Sequence, residues 1–263
     1  MPPPRKEISS AKNPSIQRFK DAAVGALDGA MLAEGVRLVA EALAAGVPVL
    51  EAAVSPRCTD KALRERLQQA AQSYLEVTDD VLGRMSALDT PQGVAAILQR
   101  PAVDEAALLT GDLAPLVVVA AGVRDPGNLG ALVRTAEAAG ATGLLTMRGG
   151  ADPFRDKAVR GSMGSVFRLP VRHGLDAQEV IAFAQRHRLQ LVVADGGGGV
   201  LHSAADLRKP LLLVVGAEAA GVPAELIQAA AARVRIPLRA PVESLNVAVA
   251  AGVLLYEAQR QRS

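Results

Sequence analysis

The sequence predicts an α/β protein in two parts: a doubly wound domain with a mostly parallel sheet and helices on both faces, preceded by a smaller α/β module. Three observations carry that expectation. From Pro115 onward the apolar runs are continuous rather than alternating, as strands covered on both faces require. Helical stretches fit between those runs, the alternation that builds a parallel sheet. At 263 residues the chain exceeds the usual size of one domain.

In the front module, periodicity and breakers predict a helix over 14–26, a short strand at 30–33 and a helix over 36–45 closed by Gly46. A strand at 49–54, a helix over 61–71 and a strand at 93–98 follow. Gln99-Arg100-Pro101-Ala102 ends this module. The expected division is a domain over 1–100, a linker over 101–114 with one short helical turn, and a second domain over 115–263. There, strands are expected at 116–120, 143–147, 166–171, 189–194, 211–215 and 234–238. Helices are expected over 129–139, 177–186 and 223–231. The last helix, 245–256, has no charge between Glu243 and Glu257. A helix apolar all round must be buried all round, so one face is expected on its own sheet and another across a dimer interface.

Composition narrows the partners. The 29 basic and 27 acidic residues, net +2, neither advertise nor exclude nucleic acid. The first 100 residues balance at 12 basic and 12 acidic, so RNA binding there must come from local patches such as Lys12, Arg18 and Lys20. A single cysteine, Cys58, excludes an internal disulfide framework and fits a reducing compartment. The polar, proline-rich start is no signal peptide, and no apolar run approaches the roughly 20 residues of a membrane helix, so a soluble, cytoplasmic protein is expected. Aromatics make up 2% of residues, so base stacking cannot be the main grip on a nucleic acid; phosphate contacts and shape must supply it. The three histidines show no metal spacing with the one cysteine, and no nucleophile elbow is present, so no metal site is expected.

In a doubly wound sheet, ligands sit beyond the carboxyl ends of the strands, which directs attention to the loops there. After the first strand, Asn128 stands where an N-cap belongs, and Leu129, Leu132, Val133 and Ala136 form a stripe at helical spacing. Arg134 lies about 140° from Leu129 on the wheel, with bare Gly130 one turn before it. It reads either as a solvated arginine or as a cation beside an open approach. Asp195-Gly196-Gly197-Gly198-Gly199 is either a flexible turn or a place of close ligand approach; no G-x-G-x-x-G follows. Glu218, in Gly216-Ala217-Glu218-Ala219-Ala220-Gly221, reads as a helix-start acid or a site residue. Residues 148–172 carry six cations (Arg148, Arg155, Lys157, Arg160, Arg168, Arg172) against Asp152 and Asp156, around the turn Arg160-Gly161-Ser162-Met163-Gly164. That is a charged surface loop or a phosphate-binding patch. Near the end, Glu243, Ser244 and Asn246 open an apolar helix, with Ser244 either an N-cap or part of a site.

Asn128-x-Gly130-x-x-x-Arg134-Thr135, Gly216-x-Glu218-x-x-Gly221, and Ile236-Pro237-Leu238 with Glu243-Ser244-Leu245-Asn246-Val247 resemble, in order and spacing, the three motifs of the SpoU/TrmH-type RNA 2′-O-methyltransferases of the SPOUT superfamily. Arg160-x-Ser162-x-Gly164 is similar to a further motif of that family. Ile8-Ser9-Ser10-x-x-Asn13-Pro14, Leu32-x-Glu34-Gly35 and Thr90-Pro91-Gln92-Gly93-Val94 resemble its ribosomal-protein-like substrate-binding domain. The resemblance spans nearly the whole chain. Leu238 and Ala240 stand where methionine and glycine are common, a mild departure that touches the shape of the cofactor pocket.

The resemblance implies an S-adenosylmethionine-dependent enzyme with a trefoil-knotted carboxyl region, acting as a homodimer on RNA. The ribosomal-RNA branch, 23S RNA in particular, fits the two-domain form better than the transfer-RNA branch. It assigns the active site to Asn128, Arg134, Glu218, Ser244 and Asn246, and the cofactor to Gly216, Ile236, Leu238, Leu245 and the loop at Ala194. Arg155, Lys157, Arg160, Ser162, Lys12 and Arg18 are the expected RNA contacts. A non-catalytic RNA-binding protein on the same scaffold is the alternative of another class. A nucleotide-dependent oxidoreductase lacks its glycine fingerprint.

Overall fold

The computed structural model describes residues 5–10, 12–111, 113–217 and 221–263, with only the backbone at 5 and 6. In chain order the first elements are β1 (Arg5–Ile8), α1 (Pro14–Val24), β2 (Ala30–Glu34), α2 (Val36–Ala44) and β3 (Val49–Val54). Next come α3 (Lys61–Ala70), β4 (Ala71–Val77), α4 (Asp79–Met85), β5 (Val94–Gln99), β6 (Leu116–Ala121), α5 (Pro126–Ala138) and β7 (Gly143–Met147). Then α6 (Asp156–Gly161), β8 (Val171–Leu175), α7 (Ala177–Arg186), β9 (Gln190–Ala194), β10 (Val200–Leu201) and β11 (Leu211–Gly216). Last are α8 (Ala224–Ala229), β12 (Ala232–Arg235) and α9 (Val247–Arg262). They form two compact units, Met1–Ala102 with Phe154–Phe167, and Val103–Pro153 with Arg168–Ser263.

The first unit is a five-stranded sheet in the order β1-β4-β3-β5-β2, with β5 antiparallel to β3 and β2. Phe19 and Ala22 of α1 and Val81, Leu82 and Met85 of α4 cover one face, against Leu32, Ala53, Leu75 and Ile97. Asn13 caps α1 by accepting from Ser15 N–H (2.9 Å), with Pro14 at the first helical position, where its missing N–H costs nothing. Strands β1 and β4 and helix α4 were not legible in periodicity. Polar residues interleave β4, and Thr78 then caps α4 directly.

Residues 154–167 belong to this unit. Arg100 lies 5.4 Å over the Phe154 ring, Arg155 flanks Gly25 at the end of α1, and Gly164, at φ +94°, leaves a Cβ only 2.9 Å from Glu41. Glu34 is buried, accepting from Ser86 Oγ (2.6 Å) and Ala87 N–H (2.9 Å), and burial raises its pKa.

The second unit is a seven-stranded sheet, β10-β12-β9-β11-β6-β7-β8, with every pair parallel. Strands β6 and β7 are buried throughout, which is why their sequences run apolar without alternation. Helices α7 and α8 close one face with Val180, Phe183 and Leu226. Helices α5 and α9 pack on each other on the other face, closely enough that a Cβ on Gly252 would stand 3.3 Å from Thr135. At the end of α9, Arg262 donates to the carbonyls of Ala114 (2.7 Å), Leu207 (2.8 Å) and Lys209 (2.6 Å).

Four expectations are corrected. The strand expected at 166–171 begins only at Val171; Ser165–Phe167 is a buried 3-10 turn, and Pro170 has no N–H for a ladder. The strand expected at 234–238 stops at Arg235. Asp125, not Asn128, caps α5, accepting from Asn128 N–H at 2.8 Å with Pro126 in the first turn. The linker expected over 101–114 packs on the second unit from Val103 onward. Leu108 is fully buried, Thr142 Oγ1 donates to its carbonyl (2.8 Å), and Glu105 takes Arg172 (2.9 Å), Arg186 (2.7 Å) and His187 (2.7 Å).

Two outcomes follow. Gly93 sits at φ +84°, where an added Cβ would stand 2.2 Å from Cys58 N, so Gly93→Ala is expected to destabilise the first unit by at least about 2 kcal/mol in chemical denaturation. The Arg186, His187 and Arg172 donors hold the Glu105 carboxyl down to about 2 from an ordinary 4.5. The unfolded chain therefore takes up a proton at Glu105 between those values, and stability present above about pH 4.5 is lost as pH falls towards about 2. Glu105→Gln should be less stable at pH 7 and show a shallower acid loss in that window; an unchanged slope in acid titration followed by circular dichroism would contradict this.

Candidate active site

A cavity of about 360 Å³ opens where β9, β11 and β12 end side by side. Ala194, Gly216 and Ile236, from the three strand ends, share its lining with Leu238, Ser244 and Leu245 from the segment that leads into α9. All five residues expected at the cofactor (Ala194, Gly216, Ile236, Leu238, Leu245) thus meet in one place. Val215, Val222, Ile227, Val234 and Val247 add apolar wall, and Asp195 and Glu243 add carboxylates. Asp195 lies in the loop, and Glu243 and Val247 in the motif, that the sequence points to; Val215, Val222, Ile227 and Val234 carry no motif signal.

Close backbone approach shapes the floor. A Cβ on Gly216 would lie 2.6 Å from the carbonyl carbon of Gly221, because the chain folds back there with Gly221 N–H bonded to Ala217 O at 2.8 Å. The glycines after β9 serve the same purpose. Gly199, at φ +84°, passes so near β12 that its Cβ would stand 2.0 Å from Arg233 O. The turn is therefore ordered against its own chain, and Asp195 fixes it by accepting from Gly197 N–H (2.9 Å) and Arg233 Nε (2.8 Å), which hold its carboxyl below the usual range.

Residues 236–246 lie in neither helix nor strand, and among the described residues only Val242 N–H to Arg239 O (3.1 Å) joins that backbone to itself. Ile236, Leu238, Glu243, Ser244 and Leu245 of this segment line a cavity with apolar walls and a few polar groups, the composition of a small-molecule site. This donor set fits S-adenosylmethionine: aliphatic side chains for the purine, backbone groups for its edge, and carboxylates for ribose hydroxyls and an ammonium.

The expected catalytic residues fall as follows. Asn246, not Ser244, caps α9, its Oδ1 accepting from Ala248 N–H (3.0 Å) and Val249 N–H (3.4 Å). Ser244 is exposed on the cavity wall. Asn246 Nδ2 donates to Asn128 Oδ1 at 2.8 Å, joining positions 118 residues apart. Arg134 is exposed on α5, on the helix face of Gly127 and Gly130, and helical side chains lean towards the N-terminal turn, here the turn that holds Asn128. Glu218 lies outside the described residues.

Of the expected RNA contacts, Lys12, Arg18, Arg155 and Lys157 are exposed in the first unit. Lys12 precedes α1, Arg18 lies within it, and Arg155 flanks its far end, so α1 spaces them over roughly 16 Å instead of one point. Arg18 is paired with Glu51 (3.0 Å) and Arg160 with Asp156. Ser162 is a correction: it is fully buried, its hydroxyl donating to Val159 O at 2.7 Å, so it closes a turn and touches no solvent. Among the described residues no cluster of side chains could hold a metal.

Known proteins agree with this geometry. The MRM3-like substrate binding domain matches residues 26–96 and the SpoU rRNA Methylase family matches residues 115–256. The chain is 32% identical to the 23S rRNA (guanosine(2553)-2′-O)-methyltransferase RlmP of Bacillus subtilis, over 95% of this chain and 98% of the relative. Its fold is similar to the S-adenosylmethionine-bound rRNA methyltransferase of Sinorhizobium meliloti, at 32% identity and a TM-score of 0.87, covering 97% and 98% of the two chains. It is also similar to the cofactor-bound SpoU methyltransferase AviRb of Streptomyces viridochromogenes, at 29% identity and a TM-score of 0.86, covering 95% and 98%. With its catalytic region matched from strand β6 to helix α9 and its front module matched separately, the chain belongs to the SpoU rRNA methylase family.

Proposed function

We infer that this protein transfers a methyl group from S-adenosylmethionine to a ribose 2′-hydroxyl of RNA, with 23S ribosomal RNA as the substrate. The observation that carries the reading is the single cavity at the ends of β9, β11 and β12, whose wall continues into Asn246 and its bond to Asn128. The matched substrate-binding domain and the full-length similarity to RlmP support ribosomal RNA.

S-adenosylmethionine, when bound, supplies a methyl group on a sulfonium. Gly216, Ile236, Leu238, Leu245 and Ala194 would hold it. A ribose 2′-hydroxyl would take that methyl group, and its proton would pass to a phosphate oxygen or a water. A guanidinium has no lone pair to accept a proton, so the role of Arg134 is to position the target phosphate and stabilise the oxyanion as it develops. Holding both reactants in line supplies much of the rate. Ser244 contributes from the cavity wall. Lys12, Arg18, Arg155 and Lys157 meet the RNA backbone along α1.

We propose further that the carboxyl region is a trefoil knot and that two copies pair through α9. Val249, Val253 and Tyr256, spaced as one helical stripe, are 54%, 37% and 51% exposed on a helix that buries Val247, Ala248, Ala251, Leu254, Leu255 and Ala258. Such a stripe is what a partner surface would cover. Among the described residues no helix is long and apolar enough to cross a membrane, and the similarity to a bacterial ribosomal RNA methyltransferase supports a cytoplasmic location.

Calorimetry should detect S-adenosylmethionine binding, and mapping of 2′-O-methyl sites in 23S RNA with and without the protein should reveal one lost position; no cofactor binding would overturn the reading. Arg134→Lys should keep measurable activity and Arg134→Ala lose about a hundredfold or more, at unchanged cofactor affinity; equal losses would count against charge stabilisation. Light scattering should give a dimer for the natural chain and a monomer for Tyr256→Glu, whereas a natural monomer would exclude the α9 seam.

A further inference from the structure

Two asparagines at the site have their amide orientations fixed, and the direction matters. Asn246 Oδ1 accepts from the N–H groups of Ala248 and Val249, the orphan donors at the start of α9. An amide has one oxygen and one nitrogen, so the group that Asn246 turns on Asn128 must be its NH2. The atom of Asn128 that receives it must then be the oxygen. The backbone N–H of Asn128 is held by Asp125 Oδ1 (2.8 Å), so the helix end needs nothing from the Asn128 side chain. What remains is the Asn128 NH2. Among the described residues no acceptor is recorded for it, and the residue is partly exposed in the turn towards which Arg134 leans.

We propose that Asn246 is a positioning residue that locks the Asn128 amide so that its NH2 faces the substrate and donates to an oxygen of the RNA sugar–phosphate backbone. The lock originates in the helix: the N-terminus of α9 dictates which way Asn246 turns, and Asn246 dictates which way Asn128 turns. A free Asn128 would present oxygen or nitrogen about equally, and the oxygen would repel a phosphate or a developing alkoxide. The site thereby gains a neutral donor in addition to the cation Arg134. The step rests on the methyl-transfer reading for its substrate, while the orientation itself is a property of the protein without any ligand.

The chain holds only three asparagines, Asn13, Asn128 and Asn246, so nitrogen-15 labelling of asparagine yields three side-chain amide signals. In the natural protein, one Asn246 amide proton should be shifted downfield and both Asn128 protons should resemble free amides. Asn246→Asp keeps the helix cap but offers Asn128 only an oxygen; Asn128 must flip and donate, and one of its amide protons should now move downfield. A downfield Asn128 proton in the natural protein, or no change in Asn246→Asp, overturns the lock whatever the enzyme does.

Activity supplies the second arm, measured at saturating S-adenosylmethionine. Asn246→Asp should lower kcat on RNA by about thirtyfold, with melting temperature retained and cofactor affinity within about threefold. In an Asn128→Ala background the same change should cost no more than about threefold, because nothing remains to be oriented. A further loss of about tenfold in that background would show that Asn246 acts on its own and would overturn the proposal. Failure of the natural protein to bind cofactor would instead sink the methyltransferase reading, leaving the amide signals to decide the lock.

Discussion

The segment between β12 and α9 is the constraint on which the site depends. Strand β12 lies beyond β9 in the sheet, yet α9 packs on α5 and β11, on the other side of β9. Residues 236–246 must therefore return across the carboxyl ends of two strands. Three strand spacings measure about 14 Å, whereas eleven residues can span about 36 Å. The surplus lies outside the sheet as a looped wall of the cavity, its backbone almost unpaired with itself among the described residues. A segment with free main-chain groups beside the cavity follows from topology before any side chain is chosen.

That wall is useful only if its two ends are firm. At its start the glycines after β9 let the chain pass β12 at distances a Cβ would forbid, with the Arg233–Asp195 pair holding the turn. At its end Asn246 satisfies two orphan amides of α9, and sixteen residues later the half-buried Arg262 gathers four carbonyls of the second unit. Charge-assisted bonds of this kind are stronger than neutral ones. Ala251, Leu254, Leu255 and Ala258 then bury one side of the helix. The rigid helix fixes Asn246, and Asn246 fixes Asn128.

Legibility in the sequence followed burial. Strands β6, β7 and β11 are legible because both faces are covered and nearly every position is apolar, Thr146 being the exception. Edge strand β8 is not: it begins only after Pro170, and Arg172 and His173 break the apolar run at a half-solvated edge. The Asp125-Pro126 signal for a helix start was present but was passed over for Asn128, whose amide has another use. Motif order located the cavity-lining residues, since spacing along the chain survives without knowledge of the path. The path itself, which brings positions 128 and 246 within one hydrogen bond, is long-range and leaves no local trace.

Charge is where sequence counting misleads most. The run from Arg148 to Arg172 carries a formal excess of four, the mark of a phosphate grip. In the fold, Arg160 answers Asp156, Arg168 answers Glu137 at 2.6 Å, and Arg172 answers Glu105 at 2.9 Å. These partners include residues far along the chain, invisible to a window count. Affinity from counterion release grows with the number of phosphates neutralised, and cations already paired contribute little to it. With few aromatics to stack on bases, recognition must then rest on shape and on a small number of directed hydrogen bonds. A single amide held in one orientation carries more weight in such a site than the net charge suggests.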